Sequence, residues 1–330
     1  MTRESAATPV AEHPGGEISI AEAGEFGLIA AITARLPPAP AVRLGPGDDA
    51  AVIAAPDRRV VATTDLLVED RHFRRAWSTP YDVGRRAAAQ NLADVVAMGA
   101  RPTALLVGFA APPDLPLSWA EGLADGLGAE SARAGAGVAG GDVVASDRLT
   151  VAVTALGDLE DRAPVTRGGA RPGDIVAVCG HLGEAAAGFA LLEAGHDAPA
   201  EAVDLYRCPV PPYAHGLRAA ELGATAMIDV SDGLLADLGH VARAGGVPID
   251  LDGAALAPSA VVAAAARVAG GDPVSWVLRG GEDHALAATF PPSVALPAAW
   301  RVIGRVGSGA PGVTLDGGAV DGDGGWDHFA

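Results

Sequence analysis

MIDVSDGLLADLGHVARAGG, residues 227–246, decides the fold class. A short apolar strand ending in MIDV reaches Ser231-Asp232-Gly233 and runs straight into apolar residues at helical spacing, so a strand delivers the chain to a helix N-terminus. The same join recurs where DIVAVCG (174–180) runs into GEAAAGFALLEAG (183–195). Two such joins predict an α/β unit. Upstream, the turn cluster TRGGARPGD (166–174) separates it from a first half with β-type runs at 50–55, 59–64, 103–109 and 149–156. Helical stretches at 80–98 and 116–134 alternate with them, and a further helix is predicted over Glu22–Leu36, stopped by Pro37–Pro38. The 330 residues exceed the usual ~100–200 of one domain. The expected organisation is a disordered tail over 1–16, an N-terminal domain over 17–160 and a C-terminal α/β domain over 161–330. Gly307–Gly325 reads as turns between short strands.

Forty-one acidic residues against 23 basic ones leave a net charge of −18, which excludes a nucleic-acid surface and an anionic-membrane binder. All 23 basic residues are arginine. Without lysine there is no P-loop lysine, no kinase-type lysine and no Schiff base, so phosphate chemistry must use arginine, backbone N–H groups and metal ions. Composition is biased toward alanine, glycine, proline and arginine, with one asparagine, Asn91, and one glutamine, Gln90. Cys179 and Cys208 are too few for a disulfide framework and lack zinc spacing. The first residues do not read as a signal peptide, and no apolar run reaches the ~18 residues of a membrane span. The expected location is the cytoplasm.

Five stretches carry carboxylates beside hydroxyls or glycines: GPGDDAAV (45–52), TTDLLVEDRHF (63–73), NLADVVAMGA (91–100), GGDVV (140–144) and IDVSDG (228–233). Each has a local reading as a turn, a strand-terminal loop or, for Ser231, a helix cap. Asp94 differs in lying among apolar neighbours, where a charge needs a partner. Taken together, the five suggest one oxygen-lined site for several Mg²⁺ ions. Carboxylates repel a polyphosphate by about 4 kcal/mol per pair of unit charges 4 Å apart at an effective dielectric near 20, so such a site takes a nucleotide only through divalent ions. Phosphoryl transfer fits that arrangement, with Arg167 as a donor to phosphate oxygens or as an exposed turn residue.

The ordered series GEFGLI, GPGDDAAV, TTDLLVEDRHF, NLADVVAMGA, GGD, TRGGARPGD, DVSDGLLADL, GGEDHAL and GWDHF resembles the thiamine-monophosphate kinase family, within the aminoimidazole ribonucleotide synthetase-like superfamily. The resemblance runs from about Gly24 to Phe329. It implies a mixed α/β, two-domain fold whose N-terminal strands pair into a barrel across a homodimer. It also implies ATP-dependent phosphorylation of thiamine monophosphate to thiamine diphosphate by direct, Mg²⁺-assisted transfer. The resemblance assigns Asp49, Thr63, Thr64, Asp65, Asp94, Asp142, Asp229 and Asp232 to the metal cluster. Gly141, Asp142, Arg167 and Ser231 are assigned to ATP, and His72, Glu282 and Trp326 to the substrate. Two stretches depart from the family pattern: His284 and Ala285 replace an aromatic phenol and an acid, and 207–213 reads RCPVPPY. The competing readings are another activity of the same superfamily and a nucleotide- or metal-binding module without turnover.

Overall fold

Helix α2 (Pro80–Ala97) joins two sheets, and the rest of the architecture follows from what it packs against. The computed structural model describes residues 17–46 and 50–320. The tail expected over 1–16, Asp49 and Trp326 therefore lie outside the described residues. In chain order, α1 (Ile20–Thr33), β1 (Val42–Leu44) and β2 (Val52–Ile53) precede β3 (Val61–Val68) and α2. β4 (Arg101–Ala111), α3 (Leu117–Arg133), β5 (Gly137–Ala145) and β6 (Thr150–Asp158) follow. The second half holds β7 (Ile175–Cys179), α4 (Glu184–Glu193), α5 (Ala200–Arg207), α6 (Tyr213–Glu221), β8 (Ala226–Val230) and α7 (Leu234–Gly245). It ends with β9 (Pro248–Leu251), α8 (Ala260–Ala269), α9 (Pro273–Arg279), β10 (Ala285–Phe290), β11 (Trp300–Val306), β12 (Gly312–Leu315) and β13 (Gly318–Ala319).

Helix α2 begins where its sequence says it should. The Thr79 hydroxyl accepts from Asp82 N, the Asp82 carboxylate accepts from Thr79 N, and Pro80 fills the first turn. Gly84 and Gly126 let α2 and α3 cross closely, since a Cβ on either would lie 2.1 Å from a carbonyl oxygen of the other helix.

The four-stranded sheet, in order β3-β6-β4-β5, turns one face to α2 and α3, where Leu67, Leu105, Phe109, Val151 and Val153 are buried. Its other face carries Ala62, Thr64, Leu66, Leu106 and Val144 and is open, with Leu66 54% exposed. The seven-stranded sheet runs β13-β12-β9-β11-β7-β10-β8. One of its faces packs on α4, α7 and α8, the other on α6 and the last turn of α2, where Val96 and Ala97 are buried. β7 and β8 both pair antiparallel with β10. Their C-terminal ends and the start of β10 therefore share one edge, which faces the middle of α2.

Several expected boundaries move. The run expected at 59–64 extends to Val68, because full pairing with β6 continues through Leu67 and Val68, so Thr63–Asp65 lie within a strand and do not end one. The first helix bends at Gly24, where φ is +68°. β5 is a parallel edge strand on β4. Ser231 does not cap α7, whose N-cap is Gly233. Both cysteines are free.

Candidate active site

Arg86, Gln90 and Asp94 are spaced four residues apart on α2, so their side chains form one stripe along the helix. The stripe meets β3 on one side and the β8/β10 edge on the other. Within β3 the side chains alternate, so Thr63 and Asp65 face α2 while Thr64 faces away. The Thr63 hydroxyl donates to Asp94 Oδ2 at 2.7 Å. Asp65 N donates to Asn91 Oδ1 at 3.0 Å, and Gln90 hydrogen-bonds the Asp65 carboxylate. The one asparagine and the one glutamine of the chain thus both hold Asp65.

From the opposite side, Glu282, Asp283 and His284 fan out in three directions. Glu282 and His284 both adopt left-handed backbone conformations, φ +70° and +52°, which cost non-glycine residues about 1 kcal/mol or more each. Backbone pairing holds them there: Glu282 N donates to Ser231 O and His284 N to Val230 O, at 2.8 and 2.9 Å. Glu282 pairs with Arg86 at 2.5 Å. The Arg86 guanidinium, 3% exposed, also donates to Tyr206 O at 3.0 Å and lies over the Tyr206 ring at 4.6 Å. Asp283 turns the other way and accepts from Gly183 N and Ala185 N at the start of α4. His284 Nδ1 lies 3.2 Å from Asp229 Oδ2, and both residues are buried.

Between these elements opens a cleft of about 500 Å³ lined by Thr63, Asp94, Thr166, Arg167, Gly168 and Asp229, with apolar walls from Met98, Met227 and Ile228. Burial, then the nearby Asp229 carboxylate, pushes the Asp94 carboxyl up to about 7. Burial also raises Asp65, against a lowering by His284. The same desolvation opposes a charged His284, but its bond to Asp229 and the carboxylates of Asp229, Glu282 and Asp94 outweigh it and lift its pKa. At the start of α7, Asp237 Oδ2 accepts from Ser231 N, Asp232 N and Gly233 N at 3.1, 3.2 and 3.2 Å. Burial and the charges of Asp229 and Asp232 still raise Asp237 to about 7. These carboxyls crowd one another in a place short of positive charge.

The structure brings together Thr63, Asp65, Asp94, Arg167 and Asp229, with Ser231 and Asp232 on the turn that Asp237 organises. His72 accepts from Val68 N through Nδ1 at 3.0 Å. Thr64 and Asp142 are not brought to the cleft within one chain. The Thr64 hydroxyl donates to Val153 O at 3.1 Å. Asp142 sits with Gly141 on edge strand β5, three strand spacings, about 14 Å, from β3. Its side chain takes the open face and accepts from Val143 N. Among the described residues, no three His, Cys, Asp or Glu side chains already stand together as a metal site. Sequence reasoning missed Arg86, Asn91, Gln90 and Asp237. The signals present were the i, i+4, i+8 spacing of polar residues on α2 and the isolated Gln-Asn pair in an alanine-rich chain.

The family described as AIR synthase related protein, N-terminal domain, matches residues 47–159. Thiamine-monophosphate kinase of Mycobacterium tuberculosis is 53% identical over 313 residues, covering 94% of this chain and 93% of that one. The chain belongs to the thiamine-monophosphate kinase family. The Corynebacterium glutamicum kinase is 41% identical, with 87% of each chain covered. The solved structure of AaThiL complexed with AMPPCP and TMP superposes with a TM-score of 0.78 at 33% identity, covering 96% of this chain and 100% of that one. The hydrogenase maturation protein HypE of E. coli, at 19% identity and a TM-score of 0.70, shares the fold, covering 88% of this chain and 92% of that one.

Proposed function

We propose that the chain is a cytoplasmic, homodimeric kinase that uses ATP to phosphorylate thiamine monophosphate to thiamine diphosphate. Family membership supports the reaction, and a relative solved with an ATP analogue and TMP supports the pair of substrates. The observation that carries the reading is the cleft in which Asp94 and Asp229, from different sheets' elements, face Arg167 with a hydroxyl beside them.

The donor set fits magnesium, being hard oxygens, and the raised Asp94 carboxyl marks a place where a cation is needed. Asp49, Thr63, Asp65, Asp94, Asp229 and Asp232 would hold the ions, while Thr64 and Asp142 join from the open sheet face when two protomers meet. Bound magnesium neutralises carboxylate against phosphate and polarises the transferred phosphoryl group. The chain's own work is positioning. Arg167 orients the phosphate chain, Ser231 and the Gly141–Asp142 strand contact the nucleotide, and Glu282, His72 and Trp326 seat the cationic thiamine. Glu282 stays ionised for that purpose because Arg86 and His284 outweigh its desolvation. Transfer then proceeds directly from ATP to the substrate phosphate.

The open face of the four-stranded sheet supports the homodimer, in which the two sheets close into a barrel. The proposed domain boundary near residue 160 draws support from the described strands of the four-stranded sheet ending by Asp158 and those of the seven-stranded sheet beginning at Ile175. Purified protein incubated with ATP, Mg²⁺ and thiamine monophosphate should form thiamine diphosphate, followed by chromatography. Absence of product at every Mg²⁺ concentration, with ATP still bound, would favour a binding module.

A further inference from the structure

Among the described residues, His284 has a bond on one ring nitrogen and nothing on the other. Nδ1 lies 3.2 Å from Asp229 Oδ2, whereas Nε2 is buried with no hydrogen-bond partner in a residue 4% exposed. A buried ring nitrogen without a partner is costly and is uncommon unless a ligand completes it. Its surroundings define that ligand. Asp65, Asp94, Asp229 and Glu282 all interact electrostatically with the ring, so the place selects a cation. The left-handed backbone at 284 is held by the bond from His284 N to Val230 O, which keeps the ring aimed at this carboxylate group.

A carboxylate on one imidazole nitrogen and an unpartnered nitrogen on the other side is the usual arrangement of a metal-bound histidine, because the carboxylate fixes the tautomer and raises ligand basicity, and an ion binding at Nε2 displaces the proton that the surrounding carboxylates favour there. We propose that His284 Nε2 is a nitrogen ligand of a divalent ion held beside the cleft, among the carboxylates that surround the ring, oriented by Asp229 and completed by Asp65 or Asp94. One nitrogen in an oxygen set shifts preference from magnesium toward manganese and cobalt. The inference rests on the metal-assisted reading of the site and adds a ligand to it.

The test uses Mn²⁺ alone on the full chain, without nucleotide, and electron spin-echo envelope modulation. Wild-type protein should show ¹⁴N modulation from coordinated imidazole, shifted on ¹⁵N-histidine labelling. His284→Asn keeps a donor toward Asp229 through its amide but deletes Nε2; it should lose the modulation and weaken Mn²⁺ binding by roughly 10- to 100-fold. Mn²⁺ uptake without nitrogen modulation in the wild type, no uptake at all, or modulation that persists in His284→Asn each overturns the proposal. Should this variant fail to fold, His284→Gln makes the same comparison, loss of the modulation supporting the proposal and its persistence overturning it. Because no turnover is read, nitrogen-coordinated Mn²⁺ in a chain that makes no thiamine diphosphate would overturn only the kinase reading.

Discussion

Asp94→Asn should stabilise the metal-free protein and disable it. Asparagine keeps an oxygen to accept from the Thr63 hydroxyl, now at 2.7 Å from Asp94, and removes only the charge. In the unfolded chain the carboxyl ionises near 3.8, while in the fold burial and Asp229 hold it protonated to about 7. At ~1.36 kcal/mol per pH unit, that gap bounds the cost of ionised Asp94 at ~4 kcal/mol, and relaxation around a partly buried group reduces it to ~2–3 kcal/mol. The sign is fixed: metal-free wild type loses this stability as pH rises from about 4 to about 7, and the deficit is constant above. Chemical unfolding in chelator at pH 8 should therefore favour the variant by ~2–3 kcal/mol, with the two proteins converging toward pH 4. Turnover with ATP and Mg²⁺ should fall by about 100-fold or more, since a charge facing the ions is gone. A variant less stable than wild type at pH 8, or one with wild-type turnover, would refute the argument, because it would make Asp94 a structural group.

Arg86→Met keeps the buried stem but strips Glu282 and Tyr206 O of their partner, so denaturant titration should show a loss of ~2–4 kcal/mol and steady-state kinetics a raised KM for thiamine monophosphate. An unchanged unfolding midpoint would show that the pair contributes nothing to the joint between the two halves. Leu66→Asp places a charge on the open sheet face without touching the buried one; sedimentation should show a dimer for wild type and a monomer for the variant. A monomeric wild type removes the barrel.

The alternation of strand and helix was legible in the sequence because it rests on contacts within a few residues. The run into α7 and the proline stop after the first helix both act over one turn of chain. The acidic motifs were legible too, since few folded chains tolerate so many carboxylates beside glycines and hydroxyls without a use for them. What the sequence could not rank was which of them meet. Thr63 and Thr64 are adjacent and chemically alike, yet the pleat sends one to Asp94 and the other to the opposite face. Asp142 lies on the wrong side of its sheet for a single-chain cluster, a consequence of strand order and register. Arg86 and Glu282 are 196 residues apart, and nothing local to either marks the pair. Asp229 and His284 meet only because β8 and β10 are neighbours in register. Local hydrogen bonding and periodicity are written along the chain, so the sequence determined the elements and the chemistry on offer. Partnership between distant charges depends on which faces the sheets bury, and only the tertiary structure decided that.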